Sequence, residues 1–111
     1  MHLDMSMRDS DDRAVQVAKA LGDPTRFALL RAIAARRELS CAELVESFGL
    51  AQATVSHHLK VLASAGLVAV RKSGQFHHYR ALPEALEAHG AGLTRAFGLG
   101  PPRAARAGRR P

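Results

Sequence analysis

Between Ser40 and Gly66 the chain sets two short amphipathic segments end to end with almost nothing between them. Ser40-Cys41-Ala42-Glu43 places a serine three residues before a glutamate, the pairing that satisfies free amides at a helix start. Leu44, Val45 and Phe48 are the apolar positions of that helix, and Gly49 stands where it must stop. A second helix is predicted over about 52–64, with Val55, Leu59 and Leu62 spaced four and three apart and Gly66 at its end. Two helices joined this closely, each with a single apolar stripe, make a helix-turn-helix.

The flanking segments complete a small domain. Val15, Ala18 and Leu21 fall on one face of a first helix capped by Ser10 or Asp11. Asp23-Pro24 restarts the chain into a second helix, since Asp caps and Pro is tolerated at the first helical position. That helix is predicted to turn Phe27, Leu30, Ile33 and Ala34 inward and Arg26, Arg31, Arg36 and Arg37 mostly outward. After Gly66, Leu67 to Arg71 and Phe76 to Leu82 are β-prone around the turn signal Ser73-Gly74, with Phe76 or Tyr79 packed inward. Pro83 opens a last helix to about Phe97. The expected class is mainly α (α+β), a winged helix-turn-helix in the order α-α-α-α-β-β-α. Residues 1–9 are expected to form an arm, 10–97 the domain, and 98–111 a basic disordered tail.

In a helix-turn-helix the second helix enters the major groove and its N-terminal half meets base edges. Gln52, Thr54, Ser56, His57 and Lys60 lie wholly or partly on the side of that helix opposite its apolar stripe. Gln can read adenine bidentately, Ser and Thr can meet bases or phosphate, and Lys can meet phosphate or guanine. An ordinary solvated face would carry Glu as well as Lys, yet no acid occurs between Leu50 and Leu82. Phosphate would repel one there. The hairpin, about 71–80, adds Arg71, Lys72, Gln75, His77, His78 and Arg80. Arg71, Lys72, Gln75 and Arg80 are its candidate contacts to the sugar-phosphate backbone. Read as a bland feature, the same hairpin is a solvated turn that only closes the core.

These residues place the chain close to a known family. Ala20-Leu21-Gly22-Asp23-Pro24-Thr25-Arg26, Glu38-Leu39-Ser40, Ala53 to Leu62, Ala65-Gly66-Leu67-Val68 and the wing Gly74 to Leu82 closely resemble the ArsR/SmtB winged-helix repressors. The match runs from Ala20 to Leu82, somewhat over half the chain. The resemblance implies a cytoplasmic homodimer joined through its first and last helices. It also implies two recognition helices on one palindromic operator in double-stranded DNA, and release when an effector binds. Which effector is left unknown.

Two metal sites of that family are incomplete here. One uses a Cys-Val-Cys stretch at the start of the third helix. Ser40, Cys41 and Ala42 stand there, so Cys41 takes the central apolar position rather than a ligand position. The other uses an acid and a His two residues later, with a second such half further on. Glu87 and His89 imitate the first half, while the second falls near Gly100 and Arg103. Two ligands are too few for a closed Zn²⁺ site. His57 and His58 diverge on a helix, and His77 and His78 alternate across a strand, so neither pair chelates one ion easily. No metal and no cofactor is expected. The family's usual serine before the recognition helix is replaced by Ala51.

Charge and composition narrow the rest. The 111 residues carry a net +6, but Met1 to Asp12 is net −3, while Arg13 to Phe97 has eleven basic and six acidic residues. The tail from Gly98 adds four arginines and no acid. Nucleic acid is therefore the first partner to consider; a basic face meeting an acidic protein is the alternative. Cys41 is the only cysteine, which suits a reducing cytoplasm. The N-terminus lacks the apolar core of a signal peptide, and no run reaches membrane-spanning length. No Gly-rich phosphate loop, nucleophile with its base, or paired carboxylates suggests an enzyme. Val15, Leu21, Leu86, Leu93 and Phe97 leave more apolar surface on the first and last helices than so small a domain can hide, and a homodimer interface is expected there.

Overall fold

Asp23 and Pro24 divide the first two helices as their chemistry requires. In the computed structural model, which describes residues 5–99, α1 runs over Met5–Leu21 and α2 over Pro24–Ala35. The Asp23 carboxylate accepts from the Arg26 amide at 2.9 Å, and Pro24 has no amide to satisfy. β1 is Leu39–Ser40, α3 is Cys41–Phe48 and α4 is Gln52–Ser64. β2, Val68–Ser73, and β3, Phe76–Ala81, form the wing, and α5 is Pro83–Ala96. The architecture is the mainly helical winged helix-turn-helix that the sequence predicts. His2, the second half of the α5 metal site, and the tail beyond Leu99 lie outside the described residues.

The capping box at α3 is formed in both directions. The Ser40 hydroxyl accepts from the Glu43 amide at 3.0 Å, and the Glu43 carboxylate accepts from the Ser40 amide at 2.8 Å. Gly49 ends α3 in the left-handed region at φ 65°, and Gly66 takes φ 77° where α4 reverses into β2. The three strands lie antiparallel in the order β1-β3-β2, with Leu39 opposite Tyr79 and Val70 opposite Tyr79 on the other side. The wing closes on Gly74-Gln75, with Gly74 alone at positive φ.

One core holds these layers together. Leu29 and Ile33 of α2, Leu44 of α3, Val55, Leu59 and Leu62 of α4, and Leu67 beyond it are all fully buried. Tyr79 and Leu86 pack on its edge, which fixes the wing and α5 to the same body.

Several elements differ from the sequence expectation. Helix α1 begins at Met5, not Ser10, because nothing between them breaks a helix and each added residue gains a backbone bond. β1 was not foreseen; two residues are too few to show a period. Phe27 and Ala34 face solvent, Phe27 at 45% exposure with the Arg31 guanidinium 5.3 Å over its ring. Leu29 takes the buried place instead. The segment Phe27 to Ala34 is apolar nearly all round, so spacing alone leaves its rotation free. On α1 the buried stripe is Val17 and Ala20, while Val15 is 52% exposed. Of the two aromatic residues offered for the hairpin, Tyr79 packs inward and Phe76 stays exposed at the tip.

These placements separate two substitutions of similar appearance in sequence. Leu29→Ala is expected to cost roughly 2–5 kcal/mol of unfolding free energy, and Phe27→Ala under about 1 kcal/mol. Chemical denaturation of both variants checks this; equal losses would contradict the rotation of α2.

Candidate nucleic-acid interface

Helix α4 is held from one side only. Val55, Leu59 and Leu62 anchor α4 in the core, which leaves Gln52, Thr54, His57 and Lys60 exposed on the remaining face. Ser56 is half-buried, with its hydroxyl 3.7 Å from the Cys41 sulfur at the start of α3. That contact ties the start of α3 to the second turn of α4. Ala51 supplies no side-chain cap, so the amides that open α4 are not met by the residue before it.

The wing distributes its cations over two faces. In the β2–β3 register Arg71 lies opposite His78, Lys72 opposite His77, and Ala69 opposite Arg80. Alternation across the pleat therefore puts Arg71, His78 and Arg80 on one face and Lys72 and His77 on the other. Arg71 is already engaged. Its Nε and Nη2 donate to the two carboxylate oxygens of Glu38 at 3.0 and 2.8 Å. The Arg71 guanidinium, with the charges of His78 and Arg80 adding to it, holds the Glu38 carboxyl below its usual range. Sequence reasoning did not find this pairing, since Glu38 lies 33 residues upstream and nothing local links it to Arg71. Lys72, Gln75 and Arg80 are exposed, and no side-chain hydrogen bond is formed by them among the described residues.

Arg26, expected to point mostly outward, turns back instead. It donates through Nε to the Ala20 carbonyl at 2.7 Å and through Nη2 to the Lys19 carbonyl at 3.1 Å. Its Nη1 lies 3.2 Å from Nδ1 of His58 on α4. The amide of Arg26, more than any nearby charge, keeps the Asp23 carboxyl below its ordinary range.

The expected dimer residues do not share one environment. Leu21 and Leu86 are half-buried against the core. Leu93 is half-exposed, and Val15 and Phe97 are 52% and 74% exposed. Leu99, not singled out from sequence, is 64% exposed beside the end of α5. α1 and α5 pack side by side, and an open groove between them is lined by residues that include Asp11, Asp12, His89 and Arg95. Cys41 packs half-buried against the core. Among the described residues, no three His, Cys, Asp or Glu side chains converge as a metal site would need. No described helix is long and apolar enough to cross a membrane.

Residues 21–71 match the model of a helix-turn-helix domain family. An arsenical resistance operon repressor of Staphylococcus xylosus is 38% identical over 71 residues, spanning 64% of this chain and 67% of that one. The structure of an ArsR-like transcriptional regulator from Rhodococcus sp. RHA1 superposes with a TM-score of 0.73 at 27% identity, covering 81% of this chain and 84% of the other. The chain belongs to the ArsR/SmtB family. It is therefore a member of a family of transcriptional regulators, not of enzymes. For this ArsR/SmtB protein a further likeness concerns the fold alone. The homodimeric winged helix-turn-helix DNA-binding domain Mb0332 of Mycobacterium bovis superposes with a TM-score of 0.70 at 23% identity, covering 87% of this chain and 90% of that domain.

Tyr79 reports on how firmly the wing is seated. Burial, and after it the charge of the nearby Cys41 sulfur, push its phenol above the ordinary value of 10.0. Ionisation is thus resisted in the folded chain. The contribution to stability is intact below the unfolded-state value and is lost as pH rises through the folded-state titration. Tyr79 is the only tyrosine and there is no tryptophan, so ultraviolet absorbance follows it without overlap. Its midpoint is expected above 10.0 in the native chain and at the ordinary value in denaturant. A native midpoint at or below the denatured one would contradict the packing of Tyr79.

Proposed function

We propose that the chain is a homodimeric repressor that binds a palindromic operator in double-stranded DNA, with α4 in the major groove and the wing over flanking phosphates. The observation that carries this reading is the free face of α4. Gln52, Thr54, His57 and Lys60 stand out from a helix whose other side is locked in the core, in a stretch without a single acid. Gln52, Ser56 and His57 lie toward base edges, with Thr54 and Lys60 beside them for bases or phosphate. Lys72, Gln75 and Arg80 supply backbone contacts from the wing. Arg71 joins them only by leaving Glu38.

Two such helices are brought to one operator by pairing α1 and α5 with those of a second copy. Val15, Leu93 and Phe97 offer the exposed apolar surface for this, Leu99 extends it, and Leu21 and Leu86 back it from the core side. The arginines of residues 98–111 add attraction to phosphate without sequence preference. A repressor of this kind works in the cytoplasm, and an effector not yet identified releases it.

Binding is measured by fluorescence anisotropy on a duplex that the protein itself enriches from a random pool, against unselected duplex of equal length. Gln52→Ala and Ser56→Ala are expected to erode the preference, by about 1–3 kcal/mol for a good bidentate contact. Lys72→Ala is expected to weaken both duplexes alike and to lower the salt slope by about one. Glu38→Gln, by freeing Arg71, is expected to strengthen both duplexes and steepen that slope by about one. Wing changes that altered only preference, with helix changes that altered only the salt slope, would invert the docking. No enrichment of any duplex would favour an acidic protein as the partner.

A further inference from the structure

We propose that Arg26 is a positioning residue that ties the recognition helix to the end of α1 through neutral His58. The inference rests on the reading of α4 as the DNA-reading helix. α1 packs on α2 and α5, and α4 packs on α2 and α3, so α1 and α4 share little direct contact. Polar links bridge the seam between them. Gln16 Nε2 donates to the Ser64 carbonyl at 3.3 Å near the end of α4. Arg26 joins its middle. Two arms of the guanidinium take the Lys19 and Ala20 carbonyls in the last turn of α1, an end that favours positive charge; the Lys19 carbonyl also accepts from the Gly22 amide at 3.2 Å. The third arm reaches His58 on α4 at 3.2 Å. α1 is one of the two helices through which a second copy would pair, so this one side chain connects the dimer face with the reading head.

The chemistry of the link makes it conditional. Arginine has five donors and no acceptor, so Nδ1 of His58 must be the acceptor and the ring proton must sit on Nε2. A second proton removes that acceptor and sets two cations face to face. Histidine is the side chain that ordinarily gains this proton between about pH 8 and 5. The charged and titratable groups around the seam are Arg26 and Asp23 at the start of α2, Lys19 on α1, and His57 and Lys60 on α4 itself. The link stands while Nδ1 is bare and is lost when Nδ1 takes a proton. Added positive charge on α4 strengthens binding to any duplex, so affinity alone does not report the link. The preference for selected over unselected duplex does, because it depends on the pose of α4.

The test uses the full chain and a duplex enriched by the protein from a random pool at pH 7.5, with unselected duplex as reference. In the wild type the preference is expected to fall about tenfold from pH 7.5 to 5.5, the size of one hydrogen bond to a charged group. Gln keeps an acceptor and does not titrate, so His58→Gln is expected to keep more of its preference at pH 5.5 than the wild type does. Arg26→Lys keeps the charge but not the three-way fork, and is expected to show the low-pH preference already at pH 7.5. Thermal melts confirm that each variant folds. Nitrogen NMR of the His58 ring, which needs no DNA, is expected to show Nε2 protonated and Nδ1 bare at pH 7.5. The opposite tautomer, a wild-type preference that ignores pH, or an equal pH response in His58→Gln would overturn the proposal and leave DNA reading by α4 standing. If the wild type prefers no duplex at any pH, the reading of α4 fails and the positioning role falls with it.

Discussion

The structure depends on the burial of one stripe, Val55, Leu59 and Leu62, on a helix that is otherwise polar. These three side chains meet Leu29 and Ile33 from α2, Leu44 from α3 and Leu67 from the start of the wing in a single core. Because all three are fully buried, α4 can neither roll nor slide without opening that core. Its opposite face is consequently held within a narrow range of orientations. A helix that must match the edges of base pairs needs such rigidity more than it needs strong contacts of its own, since a loosely held reader loses discrimination before it loses affinity.

Much of this was legible in the sequence, for identifiable reasons. The four-and-three spacing of Val55, Leu59 and Leu62 admits one rotation of α4, and Gly49 and Gly66 bound the two helices. The capping box at Ser40 and Glu43 and the restart at Asp23-Pro24 are local chemistry, complete within four residues. What failed was either ambiguous locally or set at long range. On α2 nearly every position from Phe27 to Ala34 is apolar, so the choice of Leu29 over Phe27 belongs to the packing partners. On α1 two apolar stripes compete, and the chain buries Val17 and Ala20 and leaves Val15 outside. Arg71 shows as a wing cation in sequence, whereas its pairing with Glu38 requires knowing that β1 lies against β3. Arg26 has the same character: nothing in Asp-Pro-Thr-Arg announces His58, 32 residues on.

Electrostatics here sorts positions by whether a cation is free or committed. Arg26 is spent on the end of α1 and Arg71 on Glu38, while Lys60, Lys72 and Arg80 remain open. Exposed ion pairs are individually weak, so on the proposed docking the Glu38–Arg71 pair matters less for stability than for holding one charge out of the reach of phosphate. A regulator gains from such restraint. On the proposed docking, every uncommitted cation on the wing raises affinity for all DNA, and discrimination is the surplus above that common level.

The most direct measurement is methylation interference on a duplex enriched by the protein itself, read together with hydroxyl-radical footprinting. A homodimer with α4 in the major groove predicts interference at guanine N7, which lies in that groove, within two symmetric half-sites whose centres are one helical turn, about 10 base pairs, or a whole multiple apart. Protection of the sugar-phosphate backbone by the wing would flank each half-site. Interference confined to the minor groove, or a single protected patch without a symmetric counterpart, would contradict both the docking of α4 and the pairing of two copies.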